Sequence, residues 1–309
     1  MMIDLEPLKQ TLMERGEEVE SLWPSLLVTV FSQLPPNQVG PHVASMVERY
    51  IQMIPEKILI TAQIRDDIGK LSKQRITRDL KRLRAPIPDE CITGMLYSSS
   101  EQAQPGAYGV NAEVVDTHKQ STIVQFEFPW ISAEGEAVES FANNLIALLH
   151  DFPFSVATAG FGFSLWQADS FAIDQLCAML PRYTSFDLTD IRYQIWMRNA
   201  TPSPNWLTFL NKELMESLGG ASALHGHAPE AQVTDLVQSV CIRASKYPPV
   251  GDINHQARDR GALPGVARFL KPRRIPLPPG AISGRKRELD VKQWLTRFDE
   301  QENLPWENR

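Results

Sequence analysis

The sequence predicts an α+β protein: a mainly antiparallel sheet with helices packed on it, and helical extensions at the N- and C-termini. Three observations predict it. Short runs rich in β-branched and aromatic residues (Ser25 to Phe31, Ile92 to Ser98, Tyr108 to Val115, Thr122 to Pro129, Phe154 to Trp166) are bounded by polar, glycine- or proline-bearing turns. Other segments place apolar residues at helical spacing, as in Val43, Met46, Val47, Tyr50, Ile51 and Ile54. Between 92 and 129 strands follow one another directly, which suits an antiparallel sheet with helices covering a face.

Taken in order, residues 4 to 20 read as an exposed helix in which Leu5, Leu8, Leu12 and Val19 alternate with acidic side chains. Pro24 ends it, and SLLVTVF is a buried strand. A helix follows from Val39 to Ile54, and residues 56 to 84 continue mostly helical. There Lys70, Lys73, Arg78, Lys81 and Arg82 form a basic face, and Pro86 and Pro88 close the segment. In STIVQFEFPW, Ile123, Gln125 and Glu127 alternate with Val124, Phe126 and Phe128, so one face is expected to be apolar. Ser132 to His150 is a helix, Phe154 to Trp166 a long strand and Ser170 to Leu180 a helix. Gly160 and Gly162 within that long strand indicate a bulge or a close backbone approach.

Ile191 to Met197 reads as a strand. Pro202 to Gly220 then reads as a well-capped amphipathic helix. Ser203 would cap it, Pro204 would occupy its first position, Trp206, Leu210, Leu214 and Leu218 would face inward, and Gly219 and Gly220 would stop it. Val233 to Ser245 reads as one strand and Leu263 to Leu270 as a short helix. KPRRIPLPPGAISGRKR reads as a surface loop, and a closing helix from Glu288 to Glu300 docks through Val291, Trp294, Leu295 and Phe298.

Composition narrows the class. The chain has 309 residues, 43% hydrophobic and 22% charged, which suits one large or two small globular domains. No apolar run is long enough to span a bilayer, and MMIDLEPLKQTLMERGEEVE lacks the basic start and apolar run of a signal peptide. A cytoplasmic location is therefore expected, with Cys91, Cys177 and Cys241 as reduced, buried thiols. The net charge of −6 is unevenly spread: residues 65–84 carry +5 and residues 268–287 carry +7, leaving −18 on the rest. The basic segments carry no recognisable nucleic-acid motif, and in an acidic protein they read as solvated faces.

Chemistry is sparse. GxGxxG after a strand, GxxxxGK[ST], HExxH and GxSxG do not occur. His225 and His227 lack a third ligand at metal spacing, so no metal or cofactor is expected. His42, His118, His150 and His255 stand singly, and Glu17-Glu18 and Asp66-Asp67 read as solvated charges rather than an acid/base pair. AGFGFSL alternates glycine with aromatic residues inside a strand pattern, which is not the turn of a phosphate cradle.

Five stretches occur in order: FEFPW (Phe126 to Trp130), FPFSVATAGFGFSL (Phe152 to Leu165), PRYTSFDL (Pro181 to Leu188), NWLTFLNKELMESLGG (Asn205 to Gly220) and GALPGVARFLKP (Gly261 to Pro272). Taken together they resemble the type VI immunity family, bacterial proteins that neutralise toxins delivered by type VI secretion. In the third, Thr184 and Ser185 replace the family's usual proline and glycine. The resemblance implies a binding protein that occludes a cognate toxin domain, with no catalytic residues and no binding residues to carry over. It also implies a division into an N-terminal helical extension (1–24), an immunity-like α+β domain (25–272), and a basic loop with a C-terminal helix (273–309). Nucleic acid and membrane are not expected as partners. The acidic remainder suits a toxin whose own site is cationic. Two alternatives stand beside this: an enzyme reversing the toxin's modification, with His225, His227, Asp187 or Asp190 as first candidates, and an adaptor of the secretion machinery.

Overall fold

In the computed structural model, the described residues are 22–64, 67–85, 93–99, 108–114, 122–133, 135–165, 170–187, 200–252, 260–274 and 281–299. Ten strands form one antiparallel sheet. In chain order they are β1 (Leu22–Ser32), β2 (Thr61–Ile64), β3 (Asp67–Lys70), β4 (Thr93–Ser98), β5 (Gly109–Val114), β6 (Thr122–Pro129), β7 (Val156–Leu165), β8 (Leu207–Asn211), β9 (Gln232–Asp235) and β10 (Ser239–Arg243). Across the sheet the order is β3-β2-β4-β5-β6-β1-β7-β8-β10-β9. The helices are α1 (Pro36–Met53), α2 (Lys73–Arg84), α3 (Ala137–Leu149), α4 (Ser170–Met179), α5 (Lys212–Ser217), α6 (Gly220–His227) and α7 (Leu263–Leu270). The chain closes with a small hairpin, β11 (Ala281–Ser283) and β12 (Glu288–Asp290), and α8 (Val291–Leu295).

The expected α+β class is the observed one. β1 is central because Leu26, Val28 and Val30 on one side and Leu27 and Phe31 on the other are all buried. It pairs with β6 over Ser25–Ser32 and with β7 over Leu22–Phe31. On one face Leu26, Val28, Val30, Phe126, Phe128 and Phe161 pack against α1 and α3. Tyr50 of α1 lies 4.9 Å from the Phe126 ring and 5.1 Å from Phe128, which in turn meets Phe141 of α3 edge-on at 5.2 Å. On the other face Phe31, Ile123, Val156, Leu210 and Ile242 pack against Val266, Phe269 and Leu270 of α7. β6 therefore buries both its faces, contrary to the single apolar face expected from STIVQFEFPW. The second face takes Ile123 into the α7 cluster and pairs Gln125 Nε2 with Thr29 Oγ1 at 3.3 Å.

Three other expectations are corrected. Pro202 to Gly220 is not one helix: Leu207–Asn211 is a strand and Lys212–Ser217 a short helix. Leu207, Thr208, Phe209 and Leu210 are all buried, so the run satisfies a strand period as well as a helical one, and pairing with β7 and β10 decides between them. The cap is Asn211, whose side chain accepts from Leu214 N at 2.7 Å, while Ser203 is buried upstream. The glycine stop holds, since Gly219 sits at φ +94 in the left-handed region. Second, Thr61–Ile64 and Asp67–Lys70 pair as β2 and β3 because β4 offers an open edge to Thr61–Gln63; the helix begins only at Lys73, capped by Ser72 Oγ. Third, Val233 to Ser245 folds back on itself as β9 and β10, Leu236 N donating to Ser239 O at 2.9 Å.

Gly160 and Gly162 mark a close approach, with the β1–β7 register unbroken across both. A Cβ on Gly160 would fall 1.8 Å from Asn205 Oδ1, and one on Gly162 would fall 2.2 Å from Leu27 Cδ1. The glycine lets Asn205 reach in and accept from Trp206 N at 2.8 Å, which fixes the chain's entry into β8.

Where a surface loop and a long helix were expected, Ala281–Ser283 pairs with Glu288–Asp290 and the helix that follows is short. The helix starts at Val291, three residues later than expected, because Asp290 accepts from Gln293 N at 2.9 Å and sets the cap there. Val291, Trp294 and Phe298 are buried, as expected. Cys177 and Cys241 are free, buried thiols. Among the described residues, no helix is long and apolar enough to cross a membrane. Residues 1–21, Cys91 and Ile191 to Met197 lie outside the described residues.

Candidate functional site

The residues considered for chemistry do not converge. His225 and His227 lie in the last turn of α6, exposed, and two positions apart on a helix their rings point in different directions. Asp187 is buried far along the chain from them, its N–H bonded to Phe161 O at 2.8 Å, and its carboxyl acts as a counter-charge to Arg297. Asp190, His118, His255, Asp66 and Glu17-Glu18 lie outside the described residues. His42 meets Phe152 edge-on at 6.4 Å. His150 is held by Asp151 at 2.7 Å beside a cleft of about 400 Å³; of the two serines lining it, Ser155 commits its Oγ to Phe31 O at 3.1 Å and Ser239 is buried in β10. Among the described residues no group of three or more His, Cys, Asp or Glu side chains is placed to hold a metal ion.

Sequence reasoning missed the most perturbed carboxyl of the sheet. Burial pushes Glu127 up to about 7, opposed by a hydrogen bond from Ser164. The charged form is therefore disfavoured in the fold. Its stability contribution is full below the ordinary carboxylate range and is lost as pH rises toward 7 and beyond. Glu127→Gln is expected to raise stability by on the order of 2–3 kcal/mol at pH 8 and by almost nothing at pH 4. Thermal melts at the two pH values check this; an equal change at both would contradict it.

What the structure does assemble is a charge-segregated sheet. α2 lies over the β2–β4 end, with Leu80 and Leu83 in the core and Tyr97 OH on the buried Asp79 at 3.1 Å. Its outer side presents Lys73, Arg78, Lys81, Arg82 and Arg84, and Lys70 closes β3 beside it. Arg84 pairs with Glu48 of α1 at 2.5 Å. The opposite end is acidic. Residues 211–238 contain one lysine and four carboxylates. Glu213, Glu216, Glu230 and Asp235 are all exposed, and only Asp235 has an ion pair among the described residues, Lys212 Nζ at 3.6 Å. Nine inter-strand steps of about 4.8 Å separate β3 from β9, so the poles stand about 43 Å apart. At the acidic end Val233 and Val237 are 43% and 66% exposed, the large hydrophobic residues left bare among the described ones. The cleft of His150 opens on the same end, lined also by Lys212, Glu213 and Gln238.

The profile of one family, described as type VI immunity for VRR-NUC, matches residues 42–298. The chain belongs to this family, TsiV. Membership gives it an immunity role against a type VI secretion effector. Among solved structures it is similar to the Pseudomonas aeruginosa T6SS protein PA0821, with a TM-score of 0.76 and 18% identity over 96% of this chain and 88% of that one. At that identity the likeness speaks for the fold. A comparison with curated proteins gives no match.

In this TsiV protein three of the five resembling stretches supply strands of the sheet, and GALPGVARFLKP supplies α7, which packs on one of its faces. FEFPW is the end of β6, the AGFGF run is β7, and NWLTFLNKELMESLGG supplies β8 and α5. The matched region also takes in α8, beyond the stretches that carry the resemblance. None of those stretches contains the bare valines. The signal for that surface was present in VTDLVQS: a valine pair four apart, with no glycine or proline to announce the turn.

Proposed function

We propose that this TsiV protein neutralises its effector by binding the VRR-NUC domain and covering its active surface, rather than by chemistry. The family match over residues 42–298 is the observation that carries the reading. A nuclease holds a polyanion and so needs a cationic site. The acidic pole formed by Glu213, Glu216, Glu230 and Asp235 supplies the complementary field. The basic pole on α2 would face away from such a partner. Because nucleic acid is attacked in the cytoplasm, protection is exerted there. Residues 25–272 carry the binding unit, with buried side chains of 281–299 completing its core.

Complementary fields act mainly on encounter, and salt screens them over about 8 Å at physiological ionic strength. The association rate with the VRR-NUC domain is therefore expected to fall about tenfold or more between low and physiological salt, with dissociation changing little. Stopped-flow mixing at several salt concentrations measures it. A flat association rate would place the toxin on another surface. Co-expression tests the reading itself: cells producing the VRR-NUC domain should survive only when this chain is produced with it.

A further inference from the structure

We propose that the free edge of β9 is where the partner attaches, by adding an extended segment of its own as an eleventh strand. This rests on the immunity reading for the identity of the partner and goes beyond it in naming the contact. β9 ends the sheet. All four of its side chains are exposed.

The ladder fixes which backbone groups are available. Leu236 N donates to Ser239 O, and the pairs alternate from there. Thr234 and Gln232 turn their N–H and C=O groups toward β10. Val233 and Asp235 turn theirs outward, a row spaced to receive another strand. Edges normally carry a guard against such pairing: a lysine, a proline or a bulge. QVTD has none of these, and its register with β10 is unbroken. The opposite edge differs, since β3 ends in Lys70 beside the basic helix.

The side chains say what kind of strand fits. Val233 offers an apolar contact on β9, and Val237 continues it at the hairpin tip. Around them stand Glu230, Asp235 and, on the neighbouring α5, Glu213 and Glu216. α5 is tied to the hairpin by Lys212 N on Gln238 O at 3.2 Å and by the Lys212–Asp235 pair. A second copy of this chain would set the same acidic rim against itself. A segment alternating apolar and basic residues meets both features: its apolar side chains cover the valines, its lysines or arginines face the carboxylates, and its backbone completes the ladder. The occupant is therefore a basic strand of the VRR-NUC domain.

The test uses the full chain and the purified VRR-NUC domain against which it protects cells. Val233→Pro removes one outward N–H and leaves the β10 ladder intact, because proline is accommodated on an edge strand where its nitrogen faces solvent. The expected result is an unchanged melting temperature with affinity lowered by about 30-fold or more. Wild-type affinity in a folded Val233→Pro variant would overturn the proposal. Hydrogen exchange on the unmodified chain gives the second readout, whatever the variant does. The amides of Val233 and Asp235 should become protected when the domain is added, and unchanged exchange would overturn the proposal too. Sedimentation of the free chain covers the other occupant: a dimer lost in Val233→Pro would assign the edge to a second copy. If the unmodified chain neither binds nor protects, the immunity reading itself fails, a result distinct from any of these.

Discussion

Trp206→Ala is expected to destabilise the protein by about 3–5 kcal/mol, as the loss of a large buried aromatic does. Trp206 is fully buried immediately before β8. Its indole donates to Ser245 O at 2.9 Å, its carbonyl accepts from Ala244 N at 2.9 Å, and Arg243 lies 5.5 Å from its ring. The substitution thus opens a cavity, leaves the Ser245 carbonyl with Arg243 Nε alone as its side-chain donor, at 3.0 Å, and loosens the junction of β8 with the chain after β10. Trp206→Phe keeps most of the ring burial and isolates the hydrogen bond, at about 0.5–1.5 kcal/mol because Ser245 O keeps its Arg243 donor. The alanine variant should melt roughly 10 °C lower and lose protection because folded protein is lost. A soluble variant with unchanged melting temperature would remove Trp206 from the core.

A chain ending after Pro272 is expected not to fold. The residues it lacks include Ile282, Leu289, Val291, Trp294 and Phe298, all buried. At about 1.5–3 kcal/mol for each large apolar side chain, their burial contributes on the order of 10 kcal/mol, comparable to the whole stability of an ordinary domain. Arg297 adds a polar anchor. It is 1% exposed, donates to the carbonyls of Thr184, Trp294 and Phe186, and its guanidinium lies 3.8 Å from the Trp294 ring. Burial lowers it to about 9 despite the nearby Asp187. Arg297→Ala removes the side-chain donor from the carbonyls of Thr184 and Phe186 and the positive charge from beside Asp187, at a cost of about 3–5 kcal/mol. A cooperative thermal transition in the truncated chain would show that the tail is an appendage.

Much of the architecture was legible because one period fitted each segment. Val43, Met46, Val47 and Tyr50 of α1 admit only a helical face, and the alternation of β6 admits only a strand. Where both faces of an element are buried, the period stops discriminating. Trp206, Leu210, Leu214 and Leu218 are spaced as on a helix, yet Leu207 to Leu210 are each buried on one side of a central strand or the other. The β2–β3 hairpin was hidden for a different reason: its pairing comes from β4, some thirty residues away in sequence. At the candidate surface the residue types were visible but their placement was not. Glu213, Glu230, Val233, Asp235 and Val237 form one end of the sheet only because β9 folds back on β10 and the Asn211 cap sets α5 beside them. Of the −18 outside the basic segments, residues 211–238 carry −3; that these carboxylates share one end of the sheet is a property of the topology.

Neutralisation by occlusion is tested most directly by titrating the VRR-NUC domain, held well above the dissociation constant, with this chain while following cleavage of nucleic acid. Activity should fall in a straight line to near zero at one equivalent and stay there, with the nucleic acid and the domain chemically unaltered. Full protection at a small fraction of an equivalent, growing with time of incubation, would mean that the chain acts by turnover and would contradict occlusion.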